Sequence, residues 1–213
     1  SGSWNSSTGV LTLSGETTSA NYQTALRSVT YQNTSDNPST ANREITFAVQ
    51  PKADQTISSS NHFYEYVSSG YDWDTARIEA ENSTLFGLQG YLATITSADE
   101  NTFIKGLLGG QSAWIGASDA TTMGATEGNY FWFAGPDDGT QFWTGGSGGS
   151  AVSSRYQNWN TGEPNNSNGG TEHYGLLATD GTWNDGQIES YQGFIIEYGG
   201  RSGDATAATV VTI

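Results

Sequence analysis

Trp159-Asn160-Thr161-Gly162-Glu163-Pro164-Asn165-Asn166, followed by Glu172 and then by Trp183-Asn184-Asp185, decides how this chain is read. Carboxylates and side-chain amides gather here with few basic partners. Calcium takes about six to eight oxygen ligands, some charged and some neutral. Glu163, Asn165, Glu172, Asn184 and Asp185 all offer side-chain oxygens, and Asp185 can add its backbone carbonyl. Pro164 restricts the backbone between Glu163 and Asn165. Asn and Asp are also common turn residues, so composition and spacing alone leave an ordinary polar loop open.

The surrounding composition suits a cation site. The 213 residues carry 22 acidic and 7 basic side chains, a formal charge of −15. So negative a chain lacks the cationic surface that nucleic acid or anionic lipid requires. Seven Trp, 11 Tyr and 8 Phe argue for a folded protein despite a hydrophobic content of only 34%. The 28 Gly and 4 Pro point to a turn-rich fold. Cysteine is absent, which excludes disulfides and thiolate-bound zinc. No apolar run approaches the roughly 20 residues of a transmembrane helix, so no membrane insertion is expected. The start, Ser1-Gly2-Ser3, reads as the edge of a piece excised from a longer chain.

Local patterns place the helices and strands around the loop. Asp72 caps a helix running to Asn82, with Ala76 and Ala80 on one face. Ser97-Ala98-Asp99-Glu100 forms a capping box ahead of the apolar stripe Phe103, Ile104, Leu107 and Leu108, and Gly109-Gly110 ends that helix. Phe194-Ile195-Ile196-Glu197-Tyr198 reads as a central strand. The glycine-rich Thr144–Ser150 segment reads as a surface loop, because aromatic segments flank it closely. Residues 10–53 read as β-structure, with strands at Val10–Leu13, Ser28–Tyr31 and Ile45–Val49, and a loop from Asn33 to Asn42. Ala207–Ile213 reads as one more strand.

These segments together resemble a C-type lectin-like domain. Trp73-Asp74-Thr75-Ala76, Gly90-Tyr91-Leu92-Ala93-Thr94-Ile95 and Ser97-Ala98-Asp99-Glu100-Asn101 resemble its two helices and their link. Trp114-Ile115-Gly116 resembles its core strand, Trp159–Asn165 its long loop, and Trp183-Asn184-Asp185 the strand that follows. The likeness covers about residues 60–200, in family order. It implies an α+β fold with two helices and long loops. It also implies that Glu163, Asn165, Glu172, Asn184 and Asp185 hold one Ca2+ ion. The ion and its ligands would then bind two vicinal hydroxyls of a sugar. The Glu-Pro-Asn order implies mannose-, glucose- or fucose-type ligands on cell-surface glycans. Asn166 and His173 lie beside the implied site, His173 either touching the sugar or covering the loop. Trp114, Trp159 and Trp183 are implied core residues, and His62 is expected to be structural. Asp137-Asp138-Gly139 is an acidic turn or an auxiliary calcium site.

The chain departs from animal family members. Ala80 and Ile196 stand where one disulfide would sit, and Tyr174 stands at one position of the other. Tyr22–Asn33 and Arg43–Phe47 resemble cadherin-like β-sandwich repeats of large RTX-type bacterial surface adhesins. The implied organisation is a split β-sandwich-like module, residues 1–53 plus 200–213, into which a lectin-like domain of residues 54–199 is inserted. Two unrelated linkers flanking one domain are the alternative. The setting expected is extracellular, on a bacterial cell surface, with neighbouring adhesin domains in tandem and the excised piece monomeric. Three functions remain to be weighed. They are calcium-dependent sugar binding, protein or peptide binding with a structural calcium, and glycoside hydrolysis by Glu163 with Glu172 or Asp185. Hydrolysis needs one carboxyl group protonated, whereas groups sharing a metal are held ionised, so no enzyme is expected.

Overall fold

The computed structural model describes residues 2–13, 19–30, 32, 34–37, 44–48, 55–57, 62–85, 87–202, 204 and 208–212. The chain divides into two units, residues 1–44 with 212–213 and residues 45–211. In the first, β1 (Gly2–Asn5) and β2 (Val10–Leu13) form an antiparallel hairpin with Gly2 opposite Leu13. Asn5 closes its turn, accepting from Ser7 N and Gly9 N through side chain and backbone. Then comes α1 (Ser19–Arg27). This helix corrects the reading of residues 10–53 as wholly β-structure. Ala20, Gln23, Ala25, Leu26 and Arg27 are good helix formers, and their propensity sets this stretch apart from the flanking β-structure. No strand forms at Ser28–Thr30, and Tyr31 lies outside the described residues.

The second unit starts with β3 (Glu44–Ala48) and β4 (Gln55–Ile57). There follow β5 (Phe63–Tyr71), α2 (Trp73–Asn82), β6 (Thr84–Leu85), β7 (Leu88–Leu92), α3 (Ala98–Leu107) and β8 (Ala113–Ser118). The long-loop half contains β9 (Asn129–Trp132), β10 (Gln141–Thr144), β11 (Ser150–Ala151), β12 (Glu172–Leu177) and β13 (Trp183–Gln187). The chain closes with β14 (Gln192–Tyr198) and β15 (Ala208–Thr212), and β15 pairs with β3. The fold is α+β. Its main path runs β11-β10-β9-β8-β14-β5-β4, with β12 and β13 branching from β8 and β7 from β14. Only the β14–β8 pairing among these is parallel.

Two apolar clusters occupy the two faces of β14. Phe194 and Ile196 join Trp73, Ala76, Ala80 and Trp114 on one side. Ile195 joins Ile104, Leu108, Trp132, Phe142 and Trp183 on the other. This is the period-two alternation of a strand buried on both faces, which explains its continuous apolar run. Both helices start as their caps dictate. Asp72 accepts from Thr75 N at 2.7 Å, and Ser97 accepts from Glu100 N at 3.2 Å. The Glu100 carboxylate returns to Thr96 N at 2.6 Å, one residue ahead of the cap. Ala80 and Ile196 both lie in the first cluster. They approach closely because Gly90 has no side chain: a Cβ there would sit 2.6 Å from the Ala80 carbonyl and 2.7 Å from Ile196 Cγ2. Apolar packing thus fills the place of a covalent staple, without constraining the unfolded chain.

The second cluster positions the loops. Trp183 is fully buried, its ring edge-on to Trp132, Phe142, Tyr156 and Trp159. Its Nε1 donates to Asn101 Oδ1 at 2.7 Å, and Asn101 Nδ2 donates to Gly181 O at 2.8 Å. Trp159 is only partly buried, packed against that cluster. A bridge joins Trp159 to Trp183, with Asn160 N donating to Trp183 O at 2.9 Å. The loop holding Glu163 is therefore bound to the strand holding Asn184 and Asp185.

Candidate functional site

Asp185 sits at the centre of the site. It follows the buried Trp183 anchor on β13, and its side chain is fully buried. Oδ1 accepts from Asn165 N at 3.1 Å, while Oδ2 accepts from Asn166 N at 2.7 Å and from the Tyr130 hydroxyl at 3.3 Å. One carboxylate thus brings together residues 20 and 55 positions away in sequence. Between them, the Glu163–Pro164 peptide bond is cis. Glu163 Oε2 is buried without a hydrogen-bond partner. Burial, then the neighbouring Asp185, then Glu172 push the Glu163 carboxyl up to about 7. Protons are attracted there because negative charge is crowded with no basic side chain to offset it.

Glu172 and Asn184 are more committed to their own loops. Glu172 Oε2 accepts from Ser167 N at 3.0 Å, and Oε1 accepts from Asn168 Nδ2 at 2.6 Å. Its backbone N donates to Asn166 Oδ1 at 3.1 Å. The turn at Ser167–Gly170 is therefore wrapped on Glu172, and Asn166, Asn168, Gly169 and Gly170 all take positive φ there. Asn184 Nδ2 donates to the Asp185 carbonyl at 2.6 Å, which leaves the amide oxygen for a ligand. Glu163, Glu172 and Asp185 do not converge into a compact carboxylate set. Glu163 and Asp185 lie side by side, while Ser167 N and the Asn168 amide hold Glu172 to its own turn.

His173 faces a different group. Its Nδ1 lies 3.0 Å from Asp119 Oδ1 and 3.2 Å from Glu127 Oε2. Ser118 Oγ and Asp119 N both donate to the His173 carbonyl, locking β12 to the end of β8. Asp119 is fully buried and takes a 2.7 Å bond from Gly128 N, and burial pushes its carboxyl up to about 6. Sequence reasoning missed Tyr130, Asp119 and Glu127. The available signal was an acidic residue directly after the wholly buried strand Ala113–Ser118. Asp137 accepts from Thr94 Oγ1 at 2.9 Å. A second acidic group, at the start of β5 and the end of β14, contains His62, Glu100 and Glu197.

The donor chemistry of the first site fits a hard cation. Glu163 has an unpartnered buried oxygen, Asp185 supplies a second carboxylate beside it, and Asn165 and Asn184 supply neutral amide oxygens. A cavity of about 270 Å³ adjoins these residues, bounded by Asn165, Asn166 and Asp185 on one side. Residues 70–197 match the family of the lectin C-type domain, which is more than half of the chain. The chain belongs to the C-type lectin family. It is 43% identical over 170 residues, 78% of its length, to halomucin of Haloquadratum walsbyi, of which it spans only 2%. Its fold matches the C-type lectin CEL-I from Cucumaria echinata with a TM-score of 0.53 and 22% identity, covering 72% of this chain and all of that one. It also matches the cow carbohydrate-recognition domain of CD23, solved in the presence of a GlcNAc2Man3 oligosaccharide. That match has a TM-score of 0.52 and 25% identity over 71% of this chain and 96% of the other. No helix among the described residues is long and apolar enough to cross a membrane.

Proposed function

We propose that this C-type lectin domain binds carbohydrate through calcium, recognising vicinal hydroxyls of mannose- or fucose-type sugars on cell-surface glycans. Glu163, Asn165, Glu172, Asn184 and Asp185 would hold the ion, with Asn166 beside it, and the ion would supply open coordination positions for two hydroxyls. The observation that carries the reading is the unpartnered, buried Glu163 Oε2 beside Asp185. A buried charged oxygen with no donor costs stability unless a ligand satisfies it. Asn amides donate and carboxylates accept, so each sugar hydroxyl can be matched in both roles. His173 belongs to the Asp119–Glu127 group and serves the site by positioning β12. We place the domain outside the cell as a bacterial surface-adhesion module, carried in tandem with neighbouring RTX-type adhesin domains. The pairing of β3 with β15 supports a lectin-like domain of residues 54–199 inserted into a split module of residues 1–53 plus 200–213.

A glycan array probed with labelled protein in millimolar calcium, then in excess EDTA, tests this function. Mannose- or fucose-type spots lost in EDTA are the expected result. A second reading draws on Glu172, whose oxygens are both engaged by its own turn. If Glu172 keeps those bonds, the calcium is a structural clamp and the ligand a protein or peptide. A blank array from folded, calcium-stabilised protein would select that reading.

A further inference from the structure

We propose that Asn168 is a site of spontaneous deamidation. The Gly169 nitrogen attacks the Asn168 side-chain carbonyl carbon and closes a succinimide, ammonia leaves, and water opens the ring to aspartate or isoaspartate. The consequence for the ion site rests on the calcium-dependent reading above, whereas the modification itself does not. Asn168-Gly169 is the one Asn-Gly pair in the sequence, and Gly170 follows it. A side chain on the residue after asparagine shields the attacking nitrogen, and glycine has none.

The turn leaves this pair open to the reaction. Asn168, Gly169 and Gly170 are all exposed, so water reaches the amide and the ring that forms from it. A Cβ built on Gly169 would meet nothing within 4 Å. Asn168 lies at φ 52° and ψ 36°, and Gly169 at φ 81°, in a turn closed by a long 3.4 Å bond from Thr171 N to Ser167 O. Ring closure requires ψ of Asn168 to swing away from 36°, and the two glycines that follow permit the swing. The attacking nitrogen is also free. Gly169 N has no hydrogen-bond partner outside its own turn among the described residues. At neighbouring asparagines the equivalent nitrogen is engaged. The one after Asn160 donates to Asn160 Oδ1, the one after Asn165 to Asp185 Oδ2, and the one after Asn166 to Glu172 Oε2.

The reaction would remove a clasp from a proposed calcium ligand. Asn168 Nδ2 donates to Glu172 Oε1 at 2.6 Å, and that nitrogen is the one that leaves as ammonia. The product carboxylate cannot donate, and it sets a second negative charge against the buried Glu172. Glu172 then keeps Ser167 N on Oε2, while Oε1 is released. Residues 156–200 contain no Lys or Arg to offset the added charge. A divalent cation offsets it, so ageing of the protein would tighten its hold on calcium irreversibly.

The test holds folded, calcium-free protein warm at pH 6 and at pH 8, then reads digests by mass spectrometry with isoaspartate labelled by an isoaspartyl methyltransferase. Position 168 is expected to convert at least about tenfold faster than any other asparagine, and Gly169→Ala to slow it at least about tenfold. Conversion should be faster at pH 8, because the attacking nitrogen must lose its proton. Conversion no faster than at the other asparagines would overturn the site. So would a folded-state rate more than about a hundredfold below that of the urea-unfolded chain, since the turn would then block ring closure. In calorimetry Asn168→Asp should bind calcium at least about threefold more tightly. Equal or weaker binding would overturn the effect on the ion site. Folded protein that binds no calcium in either form would overturn the calcium-dependent reading and leave the modification site standing.

Discussion

Two acidic groups lie in the same domain, and they have opposite hydrogen-bond balances. Around Glu197 every charged oxygen is met. Oε1 lies 2.5 Å from His62 Nδ1 and accepts from Tyr64 OH at 3.2 Å, and Oε2 accepts from Thr94 N at 3.0 Å. Neighbouring Glu100 accepts from Tyr64 OH at 2.6 Å and from Thr96 N at 2.6 Å. Around Glu163 one buried oxygen has no donor, and the nearest charged group is another carboxylate. A closed network rigidifies the fold and offers nothing to a ligand. An open one costs stability and retains binding capacity. The first group ties the start of β5 to β14 and to the α3 cap, while the second lies on loops that the Trp183 anchor only positions.

The largest expected effect follows from breaking the closed group. Glu197→Ala leaves the Thr94 N–H and His62 without their shared acceptor, while the Tyr64 hydroxyl keeps its 2.6 Å bond to Glu100. Removing one partner of a buried pair typically costs about 3–5 kcal/mol, so urea denaturation should show a loss of that order. Sugar binding, where the protein still folds, should be unchanged. Asp185→Ala reverses the pattern. It removes acceptors from Asn165 N, Asn166 N and Tyr130 OH, worth about 1–3 kcal/mol without calcium. The rise in melting temperature on adding calcium should disappear, together with glycan binding. If Asp185→Ala kept its calcium-dependent rise, the two groups would be alike and the site would lie elsewhere.

The same contrast explains what the sequence made legible. Asp72, Ser97 and Phe194–Tyr198 announce their elements because caps and alternation are local signals, satisfied within a few residues. The grouping of Glu163, Asn165 and Asp185 was readable only through the resemblance of the whole run of motifs to a family. Pairings across long separations carried no local mark. Tyr130 reaches Asp185, and His173 reaches Asp119, because β9, β8, β12 and β13 are neighbours in the sheet. The placement of His173 depends on one detail of register. Between Glu172 and Tyr174 the β12–β13 ladder shifts, and consecutive residues turn to different partners. Helix α1 lies between the strands read at Val10–Leu13 and Ser28–Tyr31, in a stretch taken as β-structure from its neighbours although its own residues favour a helix.

The smallest expected effect concerns pH, and it sharpens the comparison from the closed side. The hydrogen bond to Glu197 holds the His62 imidazolium above its usual value of 6.5, against the opposing effect of burial, with Glu100 and Asp137 adding negative charge nearby. A raised folded-state value gives stability that is fully present below pH 6.5 and lost as pH rises through the folded value. Burial pushes the Glu197 carboxyl up from 4.5 while His62 pulls it down, so the pair together holds its shared proton more tightly in the fold. Calcium-free protein should therefore unfold at lower urea at pH 8 than at pH 6, and His62→Gln should reduce the difference, leaving the part contributed by the raised Glu163 and Asp119 carboxyls. An unaltered slope in His62→Gln would mean that His62 carries no proton in the fold. Glu197 would then be held by Tyr64 and Thr94 alone, and the closed group would owe its stability to neutral donors.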